Sequence, residues 1–383
     1  MIGMIIFLLI FFGLYGGLHV YFYAKVIEVF QPVPGLRIVL VAFLVFVLMA
    51  PIAVRLAERA GWEGPACLLS WIGYLWLGFL FIFFVASILV DLWNVLIPPA
   101  TAMMNLAASR PRVPALYAFI GPLIVSVMVN VYGFFAARDI HYDTLSIETG
   151  KLRGDVPPIR VVQISDVHVG MIVRGERLER ILEAVRQARP DILIASGDLV
   201  DGQIDSLRGA IDLLKTIQPP LGKFAVTGNH EFYAGLDPSL AFMKASGFTV
   251  LRGESVPAGR HLSITGIDDP TGERMGLSPY ISVRKLLERQ PAERFKILLK
   301  HQPDVDRDAL GLFDLHLSGH THKGQIFPFS IVTRLFFHYH AGTFYLPGGS
   351  ILHVSRGTGT WGPPVRFLAP PEITIIDIKG KAV

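Results

Sequence analysis

One cysteine in 383 residues excludes an intrachain disulfide framework. That residue, Cys67, lies in an apolar run and reads as a small packing residue, not a reactive thiol. The lack of paired cysteines fits a reducing compartment and removes thiolate from any metal site. Charge is also scarce, at 17% of residues against 52% hydrophobic, which is too apolar for a soluble enzyme of this length. The shortage is confined to the front. Residues 1–138 hold seven Lys/Arg and four Asp/Glu, the rest 28 and 27, so the net charge of +4 divides as +3 and +1. The back half is nearly neutral and has no basic stripe, which excludes tight sequence-independent nucleic-acid binding. Internal repeats and low-complexity linkers are absent as well.

The front is instead rich in long apolar runs. Four, at about 1–24, 36–54, 66–97 and 114–137, reach the roughly 20 residues that a helix needs to span a hydrocarbon core. The third exceeds that need and is expected to tilt or to run into the interface. Helix punctuators separate the runs: QPVPG, then GWEGP, then PPA and SRPRVP. No basic segment precedes the first run and three more follow it, so it reads as a span and not as a cleavable signal. Trp62, Trp71, Trp76 and Trp93 read as packing or interfacial anchors. Asp91 and His19 lie near span ends, where snorkelling or a hydrogen bond to a neighbouring helix accounts for them better than a transport path. Four spans put the N-terminus and the back half on one side. That side carries Arg55, Arg59, Arg138, Lys151 and Arg153, the other Lys25, Arg37, Arg110 and Arg112, a small excess that favours the cytoplasm for the back half.

The back half carries the chemistry in five short segments: ISDVHVG, SGDLVD, TGNHEFY, LLKHQPD and SGHTHKGQ. Each follows a run of strand type, namely IRVVQI, DILIA, KFAV, FKILL and FDLHL. Polar side chains at the C-terminal ends of successive strands are where open α/β sheets build their sites. Asp166, His168, Asp198, Asn229, His301, His320 and His322 offer carboxylate, amide oxygen and imidazole, a set that suits Mn, Fe or Zn. Seven ligands exceed one tetrahedral zinc and match two ions that share a carboxylate. Two such ions, about 3.5–4 Å apart, clamp a displacement at phosphorus and lower the pKa of a held water from about 15.7 towards neutrality.

These five segments, in this order, resemble the calcineurin-like metallophosphoesterases over about residues 140–383. The resemblance implies two divalent metal ions, manganese first, with iron or zinc as alternatives. It implies Asp166, His168 and His322 on the first ion, Asn229, His301 and His320 on the second, and Asp198 bridging them. His230 matches the family histidine that contacts phosphate and protonates the leaving oxygen, and Asp201 an orienting group behind it. The segments GQI, SRGTGTWGPPVRF and PPEITII resemble a membrane-associated bacterial subgroup acting on lipid or nucleotide-sugar-lipid phosphodiesters. That subgroup usually has glycine where this chain has Lys323, which either reaches a substrate phosphate or points to solvent.

The family fold is an α/β four-layer αββα sandwich, here preceded by an all-α membrane domain of four transmembrane helices, with domains at 1–138 and 139–383. Strands are expected to end at Ser165, Ala195 and Thr227, and HLSITGIDDP to form another. Helices are expected over RGERLERILEAVRQARP, SLAFMKASG and SVRKLLERQ. In the first of these, Arg177, Glu179, Arg180 and Arg186 read as a solvated face opposite Leu178, Ile181, Leu182 and Val185. His141, His261, His316 and His353 read as core or edge residues, and His338 and His340 as surplus to a full ligand set. FPFSIVTRLFFHYHAG reads either as core or as a hydrophobic lip, with Phe336 and Phe337, that meets a bilayer or an acyl chain.

The leading expectation is an integral-membrane phosphoesterase of a bacterial inner membrane. It cleaves a phosphodiester or pyrophosphate bond in a lipid-linked substrate such as UDP-2,3-diacylglucosamine or a phospholipid. Two alternatives stay open: a membrane-anchored broad phosphomonoesterase or cyclic nucleotide phosphodiesterase, and a sensor or transporter with a regulatory phosphoesterase domain. The expected partners are the membrane lipid bilayer and a phosphorylated substrate. Oligomeric state has no signature in the sequence.

Overall fold

The computed structural model describes residues 2–103, 112–202 and 207–381, with backbone only at 2–8 and 98–103. The chain forms two compact units, residues 1–134 with 362–365, and residues 135–361 with 366–383.

The first unit holds α1 (Ile2–Phe30), α2 (Pro34–Arg59), α3 (Glu63–Met103) and α4 (Ala115–Ala136), whose last two residues already belong to the second unit. Their membrane-capable stretches are Leu9–Phe30, Pro34–Arg59, Glu63–Ile97 and Ala115–Ala136, of 22, 26, 35 and 22 residues. At 1.5 Å per residue even the shortest reaches about 33 Å, enough for a core of about 30 Å. Pro34 starts α2, where its missing N–H costs nothing. The PPA segment was expected to end the third helix, but α3 runs through it to Met103. A proline removes one N–H from the ladder and leaves the rest of a long cooperative helix intact. Tyr15, Phe22, Leu44, Leu80, Phe83 and Phe119 form the core of this unit. Phe22 stands edge-on to Trp76 and Phe83, with ring centroids 5.4 and 4.9 Å away.

Two polar residues of these helices, Asp91 and His19, are partnered between helices. Asp91 of α3 accepts from Lys25 Nζ and from Tyr21 OH of α1, both at 2.5 Å. His19 donates to the Tyr15 carbonyl at 2.7 Å and accepts from Trp76 Nε1 at 3.0 Å. Asp91 and His19 are thus each bonded to a neighbouring helix, which offsets the cost of placing them in apolar surroundings.

The second unit has two six-stranded sheets. The first runs β1 (His141–Thr149), β12 (Glu372–Gly380), β2 (Ile159–Ile164), β3 (Ile192–Ala195), β4 (Lys223–Ala225), β5 (Thr249–Val250). The second runs β10 (Gly342–Tyr345), β11 (Ile351–Val354), β9 (Leu315–Ser318), β8 (Phe295–Leu299), β7 (Leu262–Gly266), β6 (Glu254–Ala258). β2 to β5 are parallel, as are β7, β8, β9 and β11. The helices are α5 (Glu176–Ala188), α6 (Arg208–Lys215), α7 (Asn229–Ala234), α8 (Leu236–Ala245), α9 (Pro270–Arg274), α10 (Val283–Glu288) and α11 (Phe329–Phe336).

The period of two along each strand sorts the side chains into layers. Val162, Ile164 and Leu193 pack with Leu178, Leu182 and Val185 of α5 and Phe242 and Met243 of α8. Their neighbours Val161, Ile192 and Ile194 face the other way, against Ile264, Ile297, Leu299, Leu315 and Leu317 of the second sheet. The far face of that sheet, through Leu298, Leu352 and Val354, packs on Val283 and Leu287 of α10. The order is helix, sheet, sheet, helix. This places the C-terminal ends of β2, β3, β4, β8 and β9, and the five polar segments that follow them, together.

Two expectations fail. Arg177 is not on a solvated face: it is buried, and its Nη2 donates to the Ala137 carbonyl at 3.4 Å. Burial pushes its guanidinium down to about 9, with Arg138 and Arg366 adding repulsion. Its place in the first turn of α5 sets it against backbone that the helical period does not reveal. The core reading of FPFSIVTRLFFHYHAG also fails, because every residue of α11 is half-buried or exposed, with Leu335 at 82% and Phe336 at 79%.

Candidate metal centre

The ligand candidates stand on unusual backbone. Asp166, His168, Asp198, His320 and His322 all have φ between 48° and 71°. For residues with a Cβ this left-handed region costs about 1–2 kcal/mol each, and such strain concentrates at sites. It turns the side chains sharply away from the strand ends into one space. Two glycines make room: a Cβ on Gly228 would lie 2.2 Å from Asp198 Oδ1, and one on Gly319 2.3 Å from Asp166 Oδ2.

Two ligand clusters result, Asp166–His168–His322 and Asp198–His301–His320, and His168 and Asp198 also converge with His230, the donor atoms of each group lying within 4.8 Å of one another. Asp166 Oδ1 lies 3.3 Å from His322 Nε2 and 3.9 Å from His301 Nε2. Asp198 Oδ2 lies 3.1 Å from His301 Nε2 and 3.9 Å from His168 Nε2, so this carboxylate faces both clusters. His301 Nδ1 donates to the Ser196 carbonyl at 2.9 Å, which turns Nε2 towards the carboxylates. Ser165 Oγ donates to Asp166 Oδ2 at 2.6 Å, and the His320 N–H to both Asp166 oxygens at 3.0 and 3.1 Å.

Cations fit this space on three observations. Asn229 Oδ1 is buried and has no hydrogen-bond partner among the described residues, and the same holds for His168 Nδ1. An acceptor amide oxygen without a donor is a place for a cation. The Nε2 atoms of His168 and His322 face each other at 3.1 Å. Burial, with His230 and His322 beside it, pushes His168 down to about 3, and burial and Arg366 hold His322 well below its usual range. Both rings are therefore neutral, the form that coordinates. His301 differs: burial opposes its cation, but Asp198 outweighs burial and raises it. The donor set contains oxygen and nitrogen only, in keeping with hard or borderline divalent ions.

His230 and Asp201 lie beside the clusters. His230 Nδ1 donates to Asp201 Oδ1 at 3.0 Å, and the His230 N–H to Asp198 Oδ1 at 2.8 Å. Burial opposes the His230 cation, yet Asp198 and Asp201 outweigh it and raise the ring to about 9. Lys323 is half-buried with φ 50°, a conformation that glycine takes without strain, which accounts for the glycine expected at this place. The Phe337 ring stands edge-on to His320 at 5.1 Å, while Phe336 is exposed. His340 is buried, with Nε2 bonded to Thr333 Oγ1 at 2.6 Å, outside both clusters. Asp143, His353 and Glu372 also converge, but His353 bonds Thr343 and Thr374 at 3.0 Å through its two ring nitrogens, and Glu372 holds Arg356. That group is a structural network.

Two residues escaped the sequence reading. Glu231, fully buried, accepts from the N–H groups of Asp198, Val200 and Gly228 at 3.0, 3.1 and 2.6 Å, and so ties two ligand-bearing segments together. Its place in GNHEFY was the available signal. Arg366, also fully buried, donates to the carbonyls of Gly359, Arg356, Ala369 and Gly357 at 2.8–3.1 Å and lies 3.4 Å from His322 Nδ1. That loop passes beneath Asp166, whose carbonyl accepts from the Gly359 N–H at 3.0 Å.

The comparisons with known proteins agree with this geometry. A family model described as "Calcineurin-like phosphoesterase" matches residues 159–324. An uncharacterized metallophosphoesterase of Aquifex aeolicus is 40% identical over 260 residues, 68% of this chain and 99% of that protein. One from Helicobacter pylori strain J99 is 36% identical over 58% of this chain and 60% of its own length. A "Transmembrane protein with metallophosphoesterase domain" from Danio rerio is 32% identical over 67% of this chain and 62% of its own length. With its ligand segments in order, its helix–sheet–sheet–helix layering and a relative matched over almost its whole length, the chain belongs to the calcineurin-like metallophosphoesterase family.

Proposed function

We propose that this protein is an integral-membrane two-metal phosphoesterase that hydrolyses a phosphodiester or pyrophosphate bond in a lipid-linked substrate. UDP-2,3-diacylglucosamine and phospholipids are the model cases, and the catalytic unit faces the cytoplasm of a bacterial inner membrane. The observation that carries the reading is the pair of ligand clusters joined across Asp198, with Asn229 Oδ1 buried and without a partner among the described residues. Asp166, His168 and His322 would hold one ion and Asn229, His301 and His320 the other, with Asp198 serving both. Such ions, manganese first and iron or zinc as alternatives, would supply Lewis acidity at phosphorus and acidify a water.

The protein's own groups do the rest. Asp201 fixes the His230 ring through Nδ1, which leaves Nε2 to carry a proton to the leaving oxygen. Ser165 and the His320 N–H hold the Asp166 carboxylate in one orientation. The lipid assignment rests on α11, whose exposed Leu335 and Phe336 adjoin Phe337 beside His320, in a chain with four membrane-capable helices.

The test uses detergent-purified full-length protein with added Mn²⁺ and compares UDP-diacylglucosamine, phospholipids and bis(p-nitrophenyl) phosphate, beside Asp198→Ala. Turnover of a lipid substrate far above the soluble one, lost in Asp198→Ala, supports the proposal. Turnover of the soluble compound alone moves the reading to a generic anchored phosphoesterase.

A further inference from the structure

The residue that reads as the proton donor is bordered by three rings, of which only His168 belongs to a ligand cluster. Around His230 stand His168 at 4.6 Å, Tyr233 at 5.6 Å and Trp361 at 6.1 Å between ring centroids, all at 70–87° to it. His168 is buried, but Tyr233 is 59% exposed and Trp361 52% exposed. Neither ring is part of the hydrophobic core. Tyr233 is on α7, four residues after the Asn229 candidate ligand.

Trp361 is on a loop, yet its position is fixed. The side chain of Gln325 grips its main chain at both polar groups. Gln325 Oε1 accepts from the Trp361 N–H and Gln325 Nε2 donates to the Trp361 carbonyl, both at 2.9 Å. Gln325 itself is buried, takes φ 53°, and follows the His322 candidate ligand by three residues. Its backbone pairs with Phe367, the Phe367 N–H donating to the Gln325 carbonyl at 3.0 Å. A strained, buried glutamine bonded through both side-chain polar atoms to one tryptophan backbone locates that indole relative to the ligand segment.

We propose that Tyr233 and Trp361 are the walls of a leaving-group subsite that takes a flat aromatic group, an aryl or nucleobase-bearing leaving group, and that Gln325 is its positioning residue. This rests on the phosphoesterase reading above. The group that departs from phosphorus must lie next to the residue that protonates it, and here that residue is His230. Exposed Tyr and Trp present π-faces, and stacking of one base on one aromatic side chain contributes about 1–3 kcal/mol. A purely aliphatic leaving group would gain contact area but no stacking. The exposed α11 adjoins His320 through Phe337, so the subsite assigns the acyl and leaving portions of a lipid-linked substrate to different histidines.

The experiment measures full-length protein in detergent with Mn²⁺. The probes are KM and kcat for bis(p-nitrophenyl) phosphate, and competitive Ki values for inorganic phosphate and for glycerophosphocholine, whose two esters are both alkyl. Trp361→Ala and Tyr233→Ala should each raise the KM of the aryl ester about tenfold, the lower-middle of the stacking range. Ki for phosphate and glycerophosphocholine should stay unchanged, which also reports an intact fold and metal site. Trp361→Phe should restore most of the KM. Gln325→Ala should match Trp361→Ala and add nothing in the double variant. An unchanged KM in Trp361→Ala and Tyr233→Ala overturns the subsite, and an equal rise in the glycerophosphocholine Ki overturns the preference for a flat group. A parallel rise in the phosphate Ki overturns it too, since the rings would then support the metal site. Absence of any metal-dependent turnover in the wild type instead fails the phosphoesterase reading.

Discussion

Replacing Glu231 by glutamine separates the support of the metal site from the metal site itself. The Glu231 carboxyl bonds main-chain N–H groups: one oxygen accepts from Asp198 and Gly228 at 3.0 and 2.6 Å and the other from Val200 at 3.1 Å. A glutamine carbonyl placed at the first oxygen keeps two of these bonds. Its NH₂ then faces the Val200 N–H, donor against donor, in a fully buried place. One lost bond to the carboxyl oxygen and one stranded N–H sum to roughly 2–4 kcal/mol. Glu231→Ala strands all three groups and costs roughly 3–9 kcal/mol, a large part of a typical domain's stability. In a catalytic unit of this size, the glutamine variant should melt roughly 5–15 °C below wild type. The segment bearing Asp198 loosens with it, so metal content should fall before the unit unfolds. The assay pairs thermal unfolding of the full chain in detergent with elemental analysis. A variant that melts within about 2 °C of wild type and keeps its metal refutes the claim that this carboxylate holds the two segments.

Further outcomes follow from other residues. Arg366→Met strands three carbonyls and leaves that of Gly357 with the Glu372 N–H alone, so it should destabilise the catalytic unit by roughly 3–9 kcal/mol, read as loss of protease resistance, with Arg366→Lys between it and wild type. Burial opposes the Glu372 carboxylate, but His353, 3.7 Å away, and the Arg356 guanidinium hold it at about 2, below its ordinary 4.5. A depressed folded pKa stabilises above pH 4.5 and loses that contribution as pH falls through about 2. Glu372→Gln should therefore be less stable than wild type by up to about 3 kcal/mol at pH 6, with the gap closing between pH 4.5 and 2 in parallel melts. Leu335→Ser with Phe336→Ser removes two exposed side chains, so stability should change by less than about 0.5 kcal/mol each. Activity on substrate in vesicles should fall while hydrolysis of bis(p-nitrophenyl) phosphate stays unchanged.

What was legible in the sequence was what chemistry cannot substitute. Asp166, His168, Asp198, Asn229, His301, His320 and His322 stood out because metal-donor types recurred at the ends of five apolar runs, and the structure brings six of them into two clusters with the Asn229 oxygen left without a partner among the described residues. The four apolar helices were legible because about 20 apolar residues in a row have few other uses. Arg366 was not legible, since its partners are backbone carbonyls that only folding assembles around it. Arg177 misled because helical period assigns a face but not the cover over its first turn. FSIVTRLF could not be placed either, as the same apolar run serves a core helix or an exposed one. The clamp of Gln325 on Trp361 joins residues 36 apart by side chain to main chain, a contact with no trace in composition or spacing.

The most direct test of the central claim is the metal content of the purified full-length protein, measured by elemental analysis after reloading with Mn²⁺, for wild type and Asp198→Asn beside their hydrolysis of bis(p-nitrophenyl) phosphate. Two ions per wild-type chain, with both occupancy and turnover lost in Asp198→Asn, are the predicted result. One ion or none in an active wild type, or full turnover in Asp198→Asn, would contradict a shared two-metal centre.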